Sequence, residues 1–151
     1  MLKPTTRGQA AVESTPSVQN SASLLVGTDV QSIEEVRESL ERYGARYYRR
    51  LFTDHELEQC GVDPATSAGR LATRFAAKEA VLKILDLHSA VPAWREIEVR
   101  GGRGERPEVS LGGVAAKLAH DQGIRSISLS MSRGGGVATA IVVADLRGAT
   151  N

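Results

Sequence analysis

Five charged side chains crowd into one short stretch, Arg70-Leu-Ala-Thr-Arg-Phe-Ala-Ala-Lys-Glu-Ala-Val-Leu-Lys83, and their types suit work on phosphate. In a helix of about 3.6 residues per turn, Leu71, Phe75, Leu82 and Leu85 make one apolar stripe, and Lys78 falls inside it. Arg70 and Arg74 lie on one shoulder, with Glu79 and Lys83 on the other. A helix that only packs carries Leu or Ala at such a place, so the breach points to a working site. The structural alternative for Lys78 is that its methylenes line the core while the ammonium reaches water. For Glu79 it is an i to i+4 pair with Lys83.

Far upstream, Asp29 closes an apolar run, Leu24-Leu-Val-Gly-Thr-Asp-Val30. Asp29 and Glu79 together supply two hard oxygen donors, the set that holds Mg²⁺ while leaving coordination positions for water and phosphate. With Arg74, Lys78 and Lys83 nearby, the group suits a metal-bound polyphosphate. The lysines act as point charges and the arginine as a planar fork.

These residues need a scaffold, and the chain is long enough to bury one core: 151 residues, 41% apolar and 25% charged. A net charge of +1 and only 4% aromatic residues give no support to nucleic-acid binding. Cys60 is the single cysteine, which excludes an internal disulfide and a cysteine-based zinc site. It fits a reducing, cytoplasmic setting. No apolar stretch approaches the roughly 18 residues of a membrane span. Residues 1–23 read as a disordered tail or leader and 148–151 as a tail, flanking one domain at 24–147; the first segment is rich in Ser, Thr, Gln, Pro and Ala and has no apolar core.

Within the domain, Leu24 to Val30 reads as a buried strand. Ser32 and Glu35 predict a capping box for a helix that stops near Gly44, followed by a second helical piece from Ala45 to Leu51. Thr53 and Glu56 predict another capped helix ending at Cys60-Gly61. A loop from Asp63 to Ser67 precedes the long helix, expected from about Ala68 to Leu87. Trp94 to Arg100 and Pro107 to Leu111 alternate as strands around Gly101-Gly-Arg-Gly104. A helix from Val114 to Asp121 follows, then strands Ile124 to Met131 and Val137 to Ala144 around Gly134-Gly-Gly136. Both glycine clusters join strands and lack the lysine-serine tail of a phosphate loop, so they read as hairpin turns. The order predicts an α+β domain with a mainly antiparallel sheet packed against a long helix.

Three stretches carry a family likeness. They are Gly27-Thr-Asp-Val30 after its strand, Arg50-Leu-Phe-Thr-Asp-His-Glu-Leu57, and above all Arg74-Phe-Ala-Ala-Lys-Glu-Ala-Val-Leu-Lys83 with its aromatic-x-x-Lys-Glu-x-x-x-Lys pattern. With the order of elements and Ser128-Leu-Ser130, the chain resembles the holo-acyl-carrier-protein synthase branch of the 4′-phosphopantetheinyl transferases over about residues 24–145. The resemblance implies transfer of the phosphopantetheine arm of coenzyme A to a serine of an apo acyl or peptidyl carrier protein, with release of 3′,5′-ADP. It implies Mg²⁺ on Asp29 and Glu79, with Lys83 at the phosphate under attack and Lys78 orienting the site. Arg70, Arg74, Lys78, Lys83 and Ser130 would bind coenzyme A. The serine proton would pass to Glu79 or a metal-linked water. It further implies a homotrimer with coenzyme A between neighbouring subunits.

Two departures stand out. Many members have a His after the Ser-Leu-Ser run, where this chain has Met131, which implies altered ligand contacts. The first helix begins with Glu34 and Glu35 where basic residues are common, leaving Arg37, Arg46, Arg49 and Arg50 as the carrier-protein contacts, or as a solvated basic face. The alternative function is a non-catalytic module that grips coenzyme A or a carrier protein; the intact Asp29, Lys78, Glu79 and Lys83 speak against it.

Overall fold

Leu24–Ser32 forms strand β1, which pairs antiparallel with β5, Val137–Leu146, in a register that sets Gly27 opposite Val142 and Asp29 opposite Ala140. On its other edge β5 pairs antiparallel with β4, Ile124–Gly134, giving a three-stranded sheet of order β1-β5-β4. β2, Ile97–Gly102, and β3, Glu105–Leu111, make a separate antiparallel pair. The helices are α1 (Ile33–Tyr48), α2 (Asp54–Cys60), α3 (Pro64–Leu82) and α4 (Gly113–Asp121). This is the expected α+β arrangement, in which both glycine clusters serve hairpins. The computed structural model describes residues 24–102 and 104–146; the expected tails, 1–23 and 148–151, and the last residue of the expected domain lie outside them. Among the described residues no helix is long and apolar enough to cross a membrane.

α3 is the central element, buried on nearly every side. Ala76, Ala77, Ala80 and Val81 join Ile97 and Val99 of β2 and Ala140, Val142 and Ala144 of β5 in one core cluster. Leu71 and Ala72 join Val36, Leu40, Tyr48 and Phe52 in a second. The run of alanines lets strands approach the helix closely, because each presents only a methyl group.

Several boundaries differ from the sequence reading. The expected loop from Asp63 to Ser67 is the first turn of α3. Asp63 caps it through its carboxylate, which accepts from the Ala65 amide at 3.4 Å and the Thr66 hydroxyl at 2.9 Å, and Pro64 takes the first turn, where its missing N–H costs nothing. At the other end α3 stops at Leu82, not Leu87, and Lys83 caps it. α1 and the expected second helical piece are one element kinked at Gly44, whose φ of 70° only glycine adopts readily. Its expected capping box is half present: the Ser32 hydroxyl accepts from the Glu35 amide at 3.2 Å, without the reciprocal bond. Trp94–Glu96 is a turn of 3-10 helix, so β2 begins three residues later than expected.

Gly27 decides how β1 meets α3. A Cβ at that position would stand 2.1 Å from the carbonyl oxygen of Ala80 and 3.1 Å from the Ile84 side chain. No side chain fits between strand and helix there. Gly27→Ala should therefore lower stability by about 1–3 kcal/mol, the usual cost of overpacking. Urea unfolding followed by circular dichroism measures it, and an unchanged midpoint would show that strand and helix separate freely.

Candidate active site

The close approach at Gly27 carries Asp29, two residues further along the same face of β1, towards the end of α3. The Asp29 carboxylate is 14% exposed. One oxygen takes the Lys83 ammonium at 3.0 Å, and the other accepts from the Gln31 side-chain amide at 2.6 Å. Lys83 also donates to the Thr28 carbonyl at 2.6 Å, so the residue that caps α3 ties the helix end to β1. Glu79 lies one turn back on the same flank of α3. Burial, and then the negative charge of Asp29, push its carboxyl above the usual carboxylate range, while Lys83 draws it down. The two carboxylates feel each other, and among the described residues nothing donates to the Glu79 carboxylate, whose backbone carbonyl accepts from the Lys83 amide at 3.2 Å. Asp29 and Glu79 are thus near enough to influence each other's charge, with Lys83 bonded to Asp29.

Among the described residues no cluster of three or more His, Cys, Asp or Glu side chains forms a metal cage. Two carboxylates alone fit a hard cation that keeps several positions for water and substrate oxygens. The mutual repulsion of Asp29 and Glu79, met only in part by Lys83, is the electrostatic demand such a cation would meet.

Lys78 is elsewhere. Its side chain is 0% exposed, and its ammonium meets three acceptors: Glu56 Oε2 at 2.8 Å, the Trp94 carbonyl at 3.0 Å and the Ile97 carbonyl. These match its three N–H donors. Burial pulls its pKa below the usual lysine value, and the charge of Glu56 opposes that shift. The Phe52 ring lies 5.3 Å from the ammonium. The expected contact of Lys78 with a phosphate is corrected by this position, since every donor is already used inside the protein.

Glu56 is the residue that sequence reasoning undervalued. It was expected only to complete the α2 cap, which it does by accepting from the Thr53 amide at 2.8 Å. It is also fully buried, and its other oxygen accepts from the Val99 amide at 2.8 Å. The signal was available in principle: a lysine buried in an apolar stripe requires a buried counter-charge.

Arg70 and Arg74 lie on the opposite flank of α3 from Glu79 and Lys83, at roughly 100° per residue along the helix. With Gln59, Met131, Ser132 and Arg133 they line an open cleft of about 540 Å³. Arg70 donates twice to the Cys60 carbonyl, at 2.7 and 3.1 Å. Arg74, 7% exposed, donates to Gln59 at 2.9 Å and to the Gly101 carbonyl at 3.0 Å, and its buried Nε has no partner. Met131 faces this cleft, whereas Ser130, next along β4, is exposed beside Ile141 on the outer face of the sheet. Strand alternation therefore keeps Ser130 out of the cleft within one chain.

Of the basic residues on and after α1, Arg37 forms surface ion pairs with Glu34 and Glu41. Arg46, Arg49 and Arg50 are exposed, next to exposed Tyr43 and Tyr47.

Residues 25–142 match the family model described as the 4′-phosphopantetheinyl transferase superfamily. The holo-[acyl-carrier-protein] synthase of Desulforudis audaxviator is 39% identical over 119 residues, covering 79% of this chain and 90% of that relative. The enzyme of the same name from Dehalococcoides mccartyi is 40% identical over 121 residues, covering 80% and 98%. Among solved structures, the holo-[acyl-carrier-protein] synthase of Neisseria meningitidis is 31% identical with a TM-score of 0.66, covering 80% of this chain and 96% of that one. A Chronobacterium ammoniagenes complex of the synthase with coenzyme A is 30% identical with a TM-score of 0.68, covering 82% and 98%. Sequence, strand order and the paired acids of β1 and α3 lead to one conclusion: the chain belongs to the 4′-phosphopantetheinyl transferase superfamily and is an enzyme of its holo-[acyl-carrier-protein] synthase branch.

Proposed function

We propose that this enzyme moves the 4′-phosphopantetheine arm of coenzyme A onto a serine of an apo acyl or peptidyl carrier protein, in the cytoplasm, with Mg²⁺ and with release of 3′,5′-ADP. The observation that carries this reading is the meeting of Asp29, Glu79 and Lys83 where β1 backs onto α3. Asp29 and Glu79 would hold the divalent cation, which would supply neutralising charge to the diphosphate of coenzyme A. Lys83, half-exposed, opposes charge on the phosphoryl group under attack. The serine oxygen forms a bond to the β-phosphorus, the bond from that phosphorus to the bridging oxygen breaks, and 3′,5′-ADP leaves with the electron pair. The serine proton passes to the half-buried Glu79 carboxylate. Positioning and charge neutralisation provide most of the acceleration in such a transfer.

The arginine cleft suits the nucleotide end of the same ligand: Arg70, Arg74 and Arg133 line it, and their positive charge favours a phosphate there. Because Arg70 and Arg74 stand across α3 from Glu79, an assembly that lays the cleft of one copy beside the acids of the next supports a ligand bound between subunits. The outer face of the three-stranded sheet favours such an assembly. Leu24, Val26 and Val30 of β1 and Ile141 of β5 share it, with Val26 and Val30 at 63% and 62% exposure. Open apolar faces of this kind mark interfaces, and a closed trimer would cover three of them, with Ser130 at the seam.

Incubated with coenzyme A, Mg²⁺ and an apo carrier protein, the enzyme should add the mass of one phosphopantetheine group to the carrier. A chelator should stop the reaction and Mg²⁺ restore it. Glu79→Gln keeps the size of the side chain and removes its charge, and should cut turnover roughly 100-fold or more. No mass gain across a panel of carriers would leave a binding module, and near-normal turnover of Glu79→Gln would remove that residue from the chemistry. Light scattering checks the assembly: the wild type should weigh about three chains, and Val30→Asp should shift it towards one. A monomeric wild type would contradict the shared-site arrangement.

A further inference from the structure

Lys78 precedes Glu79 on α3, and the two side chains leave the helix roughly 100° apart. What holds Lys78 therefore also fixes the direction in which Glu79 points. Its ammonium is gripped from three places: Glu56 on α2, and the carbonyls of Trp94 and Ile97 at the entry to β2. Glu56 is fixed in turn by the amides of Thr53 and Val99. All of this is shielded from water, since both charged side chains are 0% exposed. The stripe position could be filled by a leucine if packing were the only demand, and replacing a buried ion pair by apolar side chains is often neutral or stabilising. Such an arrangement fixes a helix about its own axis, which the alanine-rich contacts of α3 with the sheets do poorly, because methyl groups slide past one another.

We infer that the buried Glu56–Lys78 pair is a positioning device that sets the rotation of α3, and so aims Glu79 at Asp29. The inference rests on the proposed sharing of a divalent cation by those two acids. Gly27 fixes how near β1 comes to α3, and Lys78 fixes the angle. With the helical backbone about 2.3 Å from its axis and a glutamate carboxyl at about 6 Å, a rotation of roughly 20° carries that carboxyl about 2 Å, enough to break a shared metal contact. Glu56 and Lys78 are positioning residues here and touch no substrate.

The test is Mn²⁺ binding, read from the electron paramagnetic resonance signal of the free ion, together with the Mg²⁺ concentration that gives half-maximal transfer. The double variant Glu56→Gln with Lys78→Met removes both charges, leaves Asp29 and Glu79 in place, and is checked for folding by circular dichroism. The Mn²⁺ dissociation constant should rise about 10–100-fold, as when groups supporting metal ligands are lost. Half-saturation by Mg²⁺ should rise alongside it, while the KM for coenzyme A at saturating metal stays within about twofold. If the double variant does not fold, Glu56→Asp decides, because it retains both charges and shortens the reach to Lys78 by one methylene. Its metal constants should move in the same direction. A folded variant whose two metal constants match the wild type would overturn the inference. Failure of the transfer reading looks different: wild-type enzyme that binds Mn²⁺ but modifies no carrier would sink that reading and leave this one intact.

Discussion

A strand and a helix joined by a long stretch of chain bring acidic side chains to one place only if their backbones come close, and here a single missing Cβ makes that possible. Gly27 lets β1 press on the Ala80 carbonyl. Asp29 then falls beside the C-terminal end of α3, where Lys83 caps the helix and clasps both the Thr28 carbonyl and the Asp29 carboxylate. The alanines of α3 and of β5 serve the same end by keeping the sheet close. The charge cluster follows from packing, and its two like charges are tolerable because Lys83 stands between strand and helix.

The central helix thus divides the labour of the molecule around its circumference. One flank carries the acids and Lys83, the other carries Arg70 and Arg74 at their cleft, and the buried Lys78 separates them. A ligand with a diphosphate and a further phosphate needs cations at more than one place. This small domain offers them on opposite sides of one helix. The outer face of the three-stranded sheet on the same domain is apolar and exposed at Leu24, Val26, Val30 and Ile141.

Much of this was legible in the order of residues. The charge within the apolar stripe drew attention to α3, and alternation around the glycine clusters gave the hairpins. Asp29 stands out in the sequence as a carboxylate closing an apolar run, although β1 continues past it to Ser32. What the sequence hid were matters of direction. Lys78 looked available to a ligand because stripe position says where a side chain starts and not what meets its tip; Glu56, on another helix, had already claimed it. Arg37 pairs with Glu34 and Glu41 one turn away on the surface of α1. Ser130 and Met131 are adjacent in sequence, yet strand geometry sends them to opposite faces. α3 starts at Pro64 and not near Ala68, because Asp63 and Pro64 make a capped first turn.

The account stands on Asp29 and Glu79 holding one divalent ion between them. Crystals grown with coenzyme A and Mn²⁺, measured at a wavelength where manganese scatters anomalously, locate that ion without assumption. The anomalous peak should lie within about 2.3 Å of an oxygen of each carboxylate, with ligand phosphate completing the shell. A manganese peak bound by phosphate oxygens alone, with either acid turned away, would contradict it.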